Sequence, residues 1–269
     1  MTSPSLTARV RAEDPSADHG QPALECRRPD GVHLFDGPYV SVHGERRDVP
    51  EGSKKLLAFV CLAGGHVERR RAAGTLWPEG DDVRAAGNLR SALWRLKGCG
   101  IDVIESDKVQ LWVRAGTGVD VERLTTWADR MITHRPVAED LDPDRWPGRR
   151  LELLPGWYDD WAIFERERMR QILLHALEAL ACELVRRGRA AEAVDVALTA
   201  VAAEPLRESA HRVLIETHLA EGNVGEARQA YRTYRDLALR ELGVEPSRQL
   251  ALLVDARPPI ARAGVGGAR

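Results

Sequence analysis

The sequence predicts two unlike halves: an α+β N-terminal unit, then an all-α unit of stacked helix pairs. Two observations carry this. Ala176, Leu180, Gly188, Glu192 and Ala193 recur 34 residues later as Ala210, Leu214, Gly222, Glu226 and Ala227. Self-similarity at that period marks helix–turn–helix units of tetratricopeptide-like type, which bury their apolar faces only against one another. Upstream, short β-type runs, three amphipathic helices and a hairpin follow in the order of a winged helix-turn-helix.

A chain of 269 residues has room for about two domains, each with its own core. The expected division is a winged helix DNA-binding domain over 30–115 and a helical repeat domain over 116–255. Residues 1–29 and 256–269 are expected to be disordered tails. The longest apolar stretches are interrupted by charge, so no membrane span is predicted, and the N-terminus lacks a signal-peptide core. A cytoplasmic protein is therefore expected. Cys26, Cys61, Cys99 and Cys182 lie too far apart for a zinc knuckle or a disulfide framework, so neither metal nor cofactor is indicated.

Val32 to Phe35 and Pro38 to His43 read as strands around the turn signal Asp36-Gly37. Gly44-Glu45 offers a second turn before Arg46 to Val49. A helix from Ser53 carries Leu56, Leu57, Phe59 and Val60 and ends at Gly64-Gly65. A second runs from Glu68 to Trp77 and stops at Pro78. Asp81 or Asp82 can cap a third, from Val83 to Lys97, closed by Gly98. Ile101 to Glu105 and Lys108 to Val113 then form a hairpin around Ser106-Asp107. In the second half a helix over Thr117 to Arg130 precedes a Pro-, Asp- and Arg-rich connection, Arg135 to Arg150. Asp159 or Asp160 caps a long helix ended by Gly188. Helices over Ala190 to Ala203, Leu206 to Glu221 and Val224 to Leu242 follow, punctuated by Pro205, Gly222, Gly243 and Pro246.

The net charge of −2 argues against a nucleic-acid partner, but its distribution argues the other way. From Ser53 to Lys97 nine basic residues stand against four acidic ones, and a local field governs phosphate binding. On the third helix Ala86, Leu89, Ala92, Leu93 and Leu96 fall on one side. Arg84, Asn88, Ser91 and Arg95 fall on the other, with Arg90, Trp94 and Lys97 flanking. Arginine can read guanine bidentately, asparagine can read adenine, and serine can meet either. A solvated helix face would show the same residues; the two preceding helices and the following hairpin favour a major groove. Arg69, Arg70 and Arg71 open the second helix, where cations oppose the macrodipole unless a phosphate approaches. A merely solvated charge run is the competing account.

Two rival functions are readable. An enzyme would need a motif, yet His33, His43, His66, His134, His175, His211 and His218 are scattered, and Asp159-Asp160 suits helix capping. A protein-binding adaptor without base readout would fit the repeat half alone.

The run Leu153-Leu154-Pro155-Gly156-Trp157-Tyr158-Asp159-Asp160-Trp161, then Glu165 to Arg168, resembles the start of the bacterial transcriptional activator domain. Pro205 to His211, Ala220 to Asn223, Tyr231 to Arg235 and Glu241 to Ser247 resemble its middle and close. With the upstream winged helix, the chain is similar to the Streptomyces antibiotic regulatory protein family. The resemblance implies a transcriptional activator that binds direct repeats in double-stranded promoter DNA, as a homodimer or as side-by-side protomers, and recruits RNA polymerase. It places Asn88 to Lys97 on the recognition helix and Leu76-Trp77-Pro78 at the end of the positioning helix. The wing departs from the family pattern, with Lys108-Val109-Gln110-Leu111 in place of Gly-Tyr-Arg-Leu, so Lys108 or Arg114 stands in for the wing arginine. No ATPase segment is expected downstream, because Gly264 to Gly267 lacks the Lys-Ser/Thr of a phosphate loop; the resemblance is to a short, stand-alone form.

Overall fold

The computed structural model describes residues 31–35, 37–142 and 152–255; the two expected tails lie outside them. The first strands are β1 (Gly31–His33), β2 (Tyr39–Val42) and β3 (Glu45–Asp48), an antiparallel set in which Val32 pairs with Val40 and Val40 with Arg47. Alternation puts Val40 and Val42 into the core, while β3 is exposed along its length and charged, which discourages edge pairing. The winged helix proper follows: α1 (Glu51–Leu62), β4 (His66–Glu68), α2 (Arg69–Leu76), α3 (Asp82–Gly98), β5 (Ile104–Ser106) and β6 (Gln110–Val113). β4, β6 and β5 form a second sheet, with Val67 opposite Leu111.

Two strands depart from the sequence reading. β4 occupies the residues expected to lead into the second helix, since Val67 is drawn into the core by its pairing with Leu111. β7 (Gly118–Val119) lies beyond the boundary expected at 115, yet it pairs parallel to β1 and completes the first sheet. It leads into α4 (Asp120–Ile132), whose first residue ties the two halves together. Oδ2 of Asp120 accepts from the backbone N–H groups of Leu34 (2.7 Å) and Phe35 (3.2 Å).

Beyond 152 the chain enters α5 (Asp160–Arg186), α6 (Ala190–Ala203), α7 (Glu208–Ala220) and α8 (Val224–Leu242), packed successively as two helix pairs. The recurring residues explain the stack. Ala176, Leu180, Ala193, Ala210, Leu214 and Ala227 are all buried, small or apolar where helices meet. Gly188 and Gly222 both take positive φ (74° and 82°) in the turn that ends the first helix of each pair, where a side chain would be strained. A polar clamp reinforces the packing: Nε of Arg207 donates to Oε1 of Glu178 at 2.7 Å, its Nη1 donates to Gln171, and the Ser209 hydroxyl donates to Glu178.

A last helix, α9 (Arg248–Asp255), was not expected from the sequence. Ser247 caps it by accepting from the Leu250 N–H, while Oε2 of Glu208 accepts from the Ser247 N–H at 2.9 Å. Leu250 and Val254 share a small core with Ile215, Ala227, Tyr234 and Ala238, closing the open end of the stack.

Candidate nucleic-acid interface

α3 is fixed from beneath before it presents anything outward. Asp81 caps it, Oδ1 accepting from the Arg84 N–H at 2.7 Å. Ala85, Leu89, Ala92 and Leu96 form its buried seam, packed on α1 and α2. The Ser53 hydroxyl of α1, itself buried, donates to the Ala92 carbonyl at 2.9 Å. Ala85 takes the place expected for Ala86, and Ala86 and Leu93 are only half-buried at the rim. That rotation changes which residues stand outermost.

Two positions from both Ala92 and Leu96, Trp94 lies about half a turn from the seam and is 75% exposed. It was expected on the flank. Arg90, Ser91, Trp94 and Arg95 together line a shallow depression on this face. Arg90, Ser91 and Lys97 are exposed. Arg95 is exposed but tethered, Nη2 donating to the Gly52 carbonyl of α1 at 3.3 Å, and Gly52 leaves room for the guanidinium where a Cβ would stand 2.8 Å from it. Arg84 and half-buried Asn88 lie on the same side of the helix as Arg95, two to three turns nearer its N-terminus. They line a groove of about 800 Å³ that also takes in Trp77, Pro78 and Tyr158 to Trp161 at the start of α5. The expected polar face is therefore divided between an open surface and a groove. Val83, 77% exposed, and Gly87 complete the open face; their spacing from Trp94 is the signal that could have found them.

The second helix holds its arginines differently from one another. The Arg69 backbone N–H donates to the Val109 carbonyl at 2.8 Å, so one of the free N–H groups expected for a phosphate is already occupied, and its side chain is half-buried. Arg70 pairs with Asp82 at 3.1 Å, linking the first turns of α2 and α3; both are fully in solvent. Arg71 is exposed.

The wing is a tight turn built on one carboxylate. Oδ1 of Asp107 accepts from the N–H groups of Val109 (2.7 Å) and Gln110 (2.6 Å), and these bonds hold its carboxyl below the ordinary range. Lys108 is carried at the tip, exposed. Arg114, the other stand-in for a wing arginine, is held at the base by Asp102 and Glu105.

The position of the winged helix on the repeat module comes from an aromatic joint. Trp161 meets Phe59 of α1 edge-on at 5.4 Å between centroids and Trp157 at 5.9 Å. Leu154, at φ 49°, is buried and donates its N–H to the Leu34 carbonyl at 3.0 Å. Arg166 grips the carbonyls of Leu153, Leu154 and Trp157 at 2.6–2.9 Å, which holds that strained turn in place.

The family model of the bacterial transcriptional activator domain matches residues 120–256. Regulatory protein AfsR of Streptomyces griseus is 26% identical over 216 residues, covering 76% of this chain and 22% of AfsR. The chain thus spans about a fifth of that relative's length. The structure of Mycobacterium tuberculosis EmbR, solved in complex with low affinity phosphopeptide, matches at a TM-score of 0.63 and 18% identity. The match covers 84% of this chain and 64% of EmbR, and it is a likeness of fold: a winged helix followed by activator-domain repeats. With the activator-domain match extending over just over half of its residues, the chain belongs to the bacterial transcriptional activator domain family.

Proposed function

We propose that the chain is a sequence-specific DNA-binding transcription regulator, an activator that occupies direct repeats in double-stranded promoter DNA and recruits RNA polymerase. The observation that carries this reading is α3: buried along one seam, and on the other side an exposed cationic face that the repeat module leaves uncovered. α3 enters the major groove with Arg90, Ser91, Trp94 and Arg95 toward base edges. Arg84 and Asn88 meet the groove wall, and Arg69, Arg70, Arg71, Lys97 and Lys108 meet phosphates, which position without specifying. Protomers lie side by side on the repeats, and the helical module offers its surface to polymerase. No helix among the described residues is long and apolar enough to cross a membrane, in keeping with a cytoplasmic regulator.

Titration of genomic DNA fragments with the full chain and with Arg84→Ala, Arg90→Ala and Arg95→Ala tests it. Loss of a base-reading arginine costs about 1–3 kcal/mol of specific binding and relaxes preference at one position. Wild-type affinity in all three variants would instead favour a helical-repeat adaptor without base readout.

A further inference from the structure

The open face of α3 contains a contradiction in ordinary surface chemistry. Val83, Gly87, Arg90 and Trp94 follow one another at helical spacing along a single stripe. Val83 is 77% exposed and Trp94 is 75% exposed, so two apolar side chains stand in water at the part of the helix farthest from its core. Between them Gly87 carries no side chain, and a Cβ built there would meet only the Arg90 guanidinium, at 3.7 Å. Glycine within a helix is unfavourable. Here it leaves the stripe low between Val83 and Arg90, two turns before the indole, so no side chain at that point holds an approaching surface away from the helix.

The surroundings identify what that surface is. Arg90, Ser91 and Arg95 line the depression around the indole, and Lys97 lies two turns beyond Arg90 on the same side of the helix. An apolar protein partner would strand these cations, whereas a polyanion satisfies them. On the floor of a DNA major groove the one apolar group is the C5-methyl of thymine. Resting on the reading of α3 as the element that enters that groove, we propose that Trp94 is a specificity-determining residue that selects thymine by packing its indole on the 5-methyl group, beside a base read by Arg90. Gly87 allows the close approach this contact requires.

Deoxyuridine lacks only that methyl group, which makes the test chemically narrow. The full chain selects duplexes from a random-sequence pool, and each thymine of the resulting consensus is then replaced singly by deoxyuridine. The expected result is one thymine per half-site whose replacement weakens wild-type binding about fourfold, the worth of one buried methyl group. Trp94→Ala binds the thymine duplex about as the wild type binds the deoxyuridine one, and is indifferent to the replacement. Trp94→Phe retains part of the discrimination, and both variants melt as the wild type does. Equal sensitivity in wild type and Trp94→Ala, or no sensitive thymine in the wild type, overturns the assignment while leaving DNA binding intact. A pool from which wild type draws no consensus overturns both.

Discussion

Nζ of Lys55, on α1, lies 2.6 Å from Oδ1 of Asp159, the residue that precedes α5, so an ion pair crosses the seam between winged helix and repeat module. It sits beside the Phe59–Trp161 edge contact. The two interactions differ in worth. Lys55 is half-exposed, and such pairs contribute under about 1 kcal/mol. Removing the Trp161 ring should cost about 2–4 kcal/mol. Urea unfolding of Lys55→Ala and Trp161→Ala checks the ranking; a larger loss from Lys55→Ala would refute the aromatic account of the joint.

His211 supplies a pH dependence. Its ring stacks on Tyr234 at 4.4 Å, and its Nε2 lies 2.9 Å from the Pro205 carbonyl. Nδ1 is buried without a hydrogen-bond partner among the described residues. Burial disfavours the imidazolium, so the folded pKa lies below the ordinary histidine value of 6.5. The unfolded chain then binds the proton first, and stability present above pH 6.5 is lost as pH falls through the folded value. His33 is lowered by burial as well and acts in the same direction. His211→Phe, which keeps the stack and removes the titration, should flatten the decline in urea midpoint between neutral and mildly acid pH. An unchanged slope would exclude His211 as a contributor.

Gly87→Ala separates stability from binding. The added Cβ has room, and alanine is a better helix former by about 1 kcal/mol. Thermal melting should therefore rise. Affinity for selected DNA should fall, because the new methyl lies on the stripe that approaches the bases. A variant that binds better as well as melting higher would remove the reason offered for a glycine there.

Phosphate contacts predict a salt dependence confined to a few residues. Arg71→Ala and Lys108→Ala should each weaken binding uniformly across sequences and lower the slope of log affinity against log salt by about 1. Arg114→Ala should leave that slope alone, since its guanidinium is engaged by Asp102 and Glu105. Measuring binding at several salt concentrations decides it. An affinity indifferent to salt would contradict the phosphate assignments together.

Elements with local signals were legible and those made by distant pairing were not. α6 and α8 begin and end where Gly188, Pro205, Gly222 and Gly243 place them, because a helix and its stop are encoded in adjacent residues. β7 has two residues, too few for alternation, and exists because Gly118 and Val119 meet Gly31 and Val32 from far up the chain. Asp120 reads as one more acidic residue until its bonds to Leu34 and Phe35 are seen. α9 did carry a local signal in Ser247, three residues before Leu250, masked by the preceding Pro246. For the candidate site, the choice of α3 and its basic residues was legible. Its rotation was not, because Ala85 and Ala86 are interchangeable until α1 and α2 select one.

We place the Arg90–Trp94 face of α3 in a major groove, and methylation interference on a selected duplex reads that placement. Dimethyl sulfate marks guanine at N7 in the major groove and adenine at N3 in the minor groove. Guanine N7 methylation within the half-site should block wild-type binding, and Arg90→Ala should lose that sensitivity at one guanine. Interference only from adenine N3, or a pattern unchanged by Arg90→Ala, would contradict it.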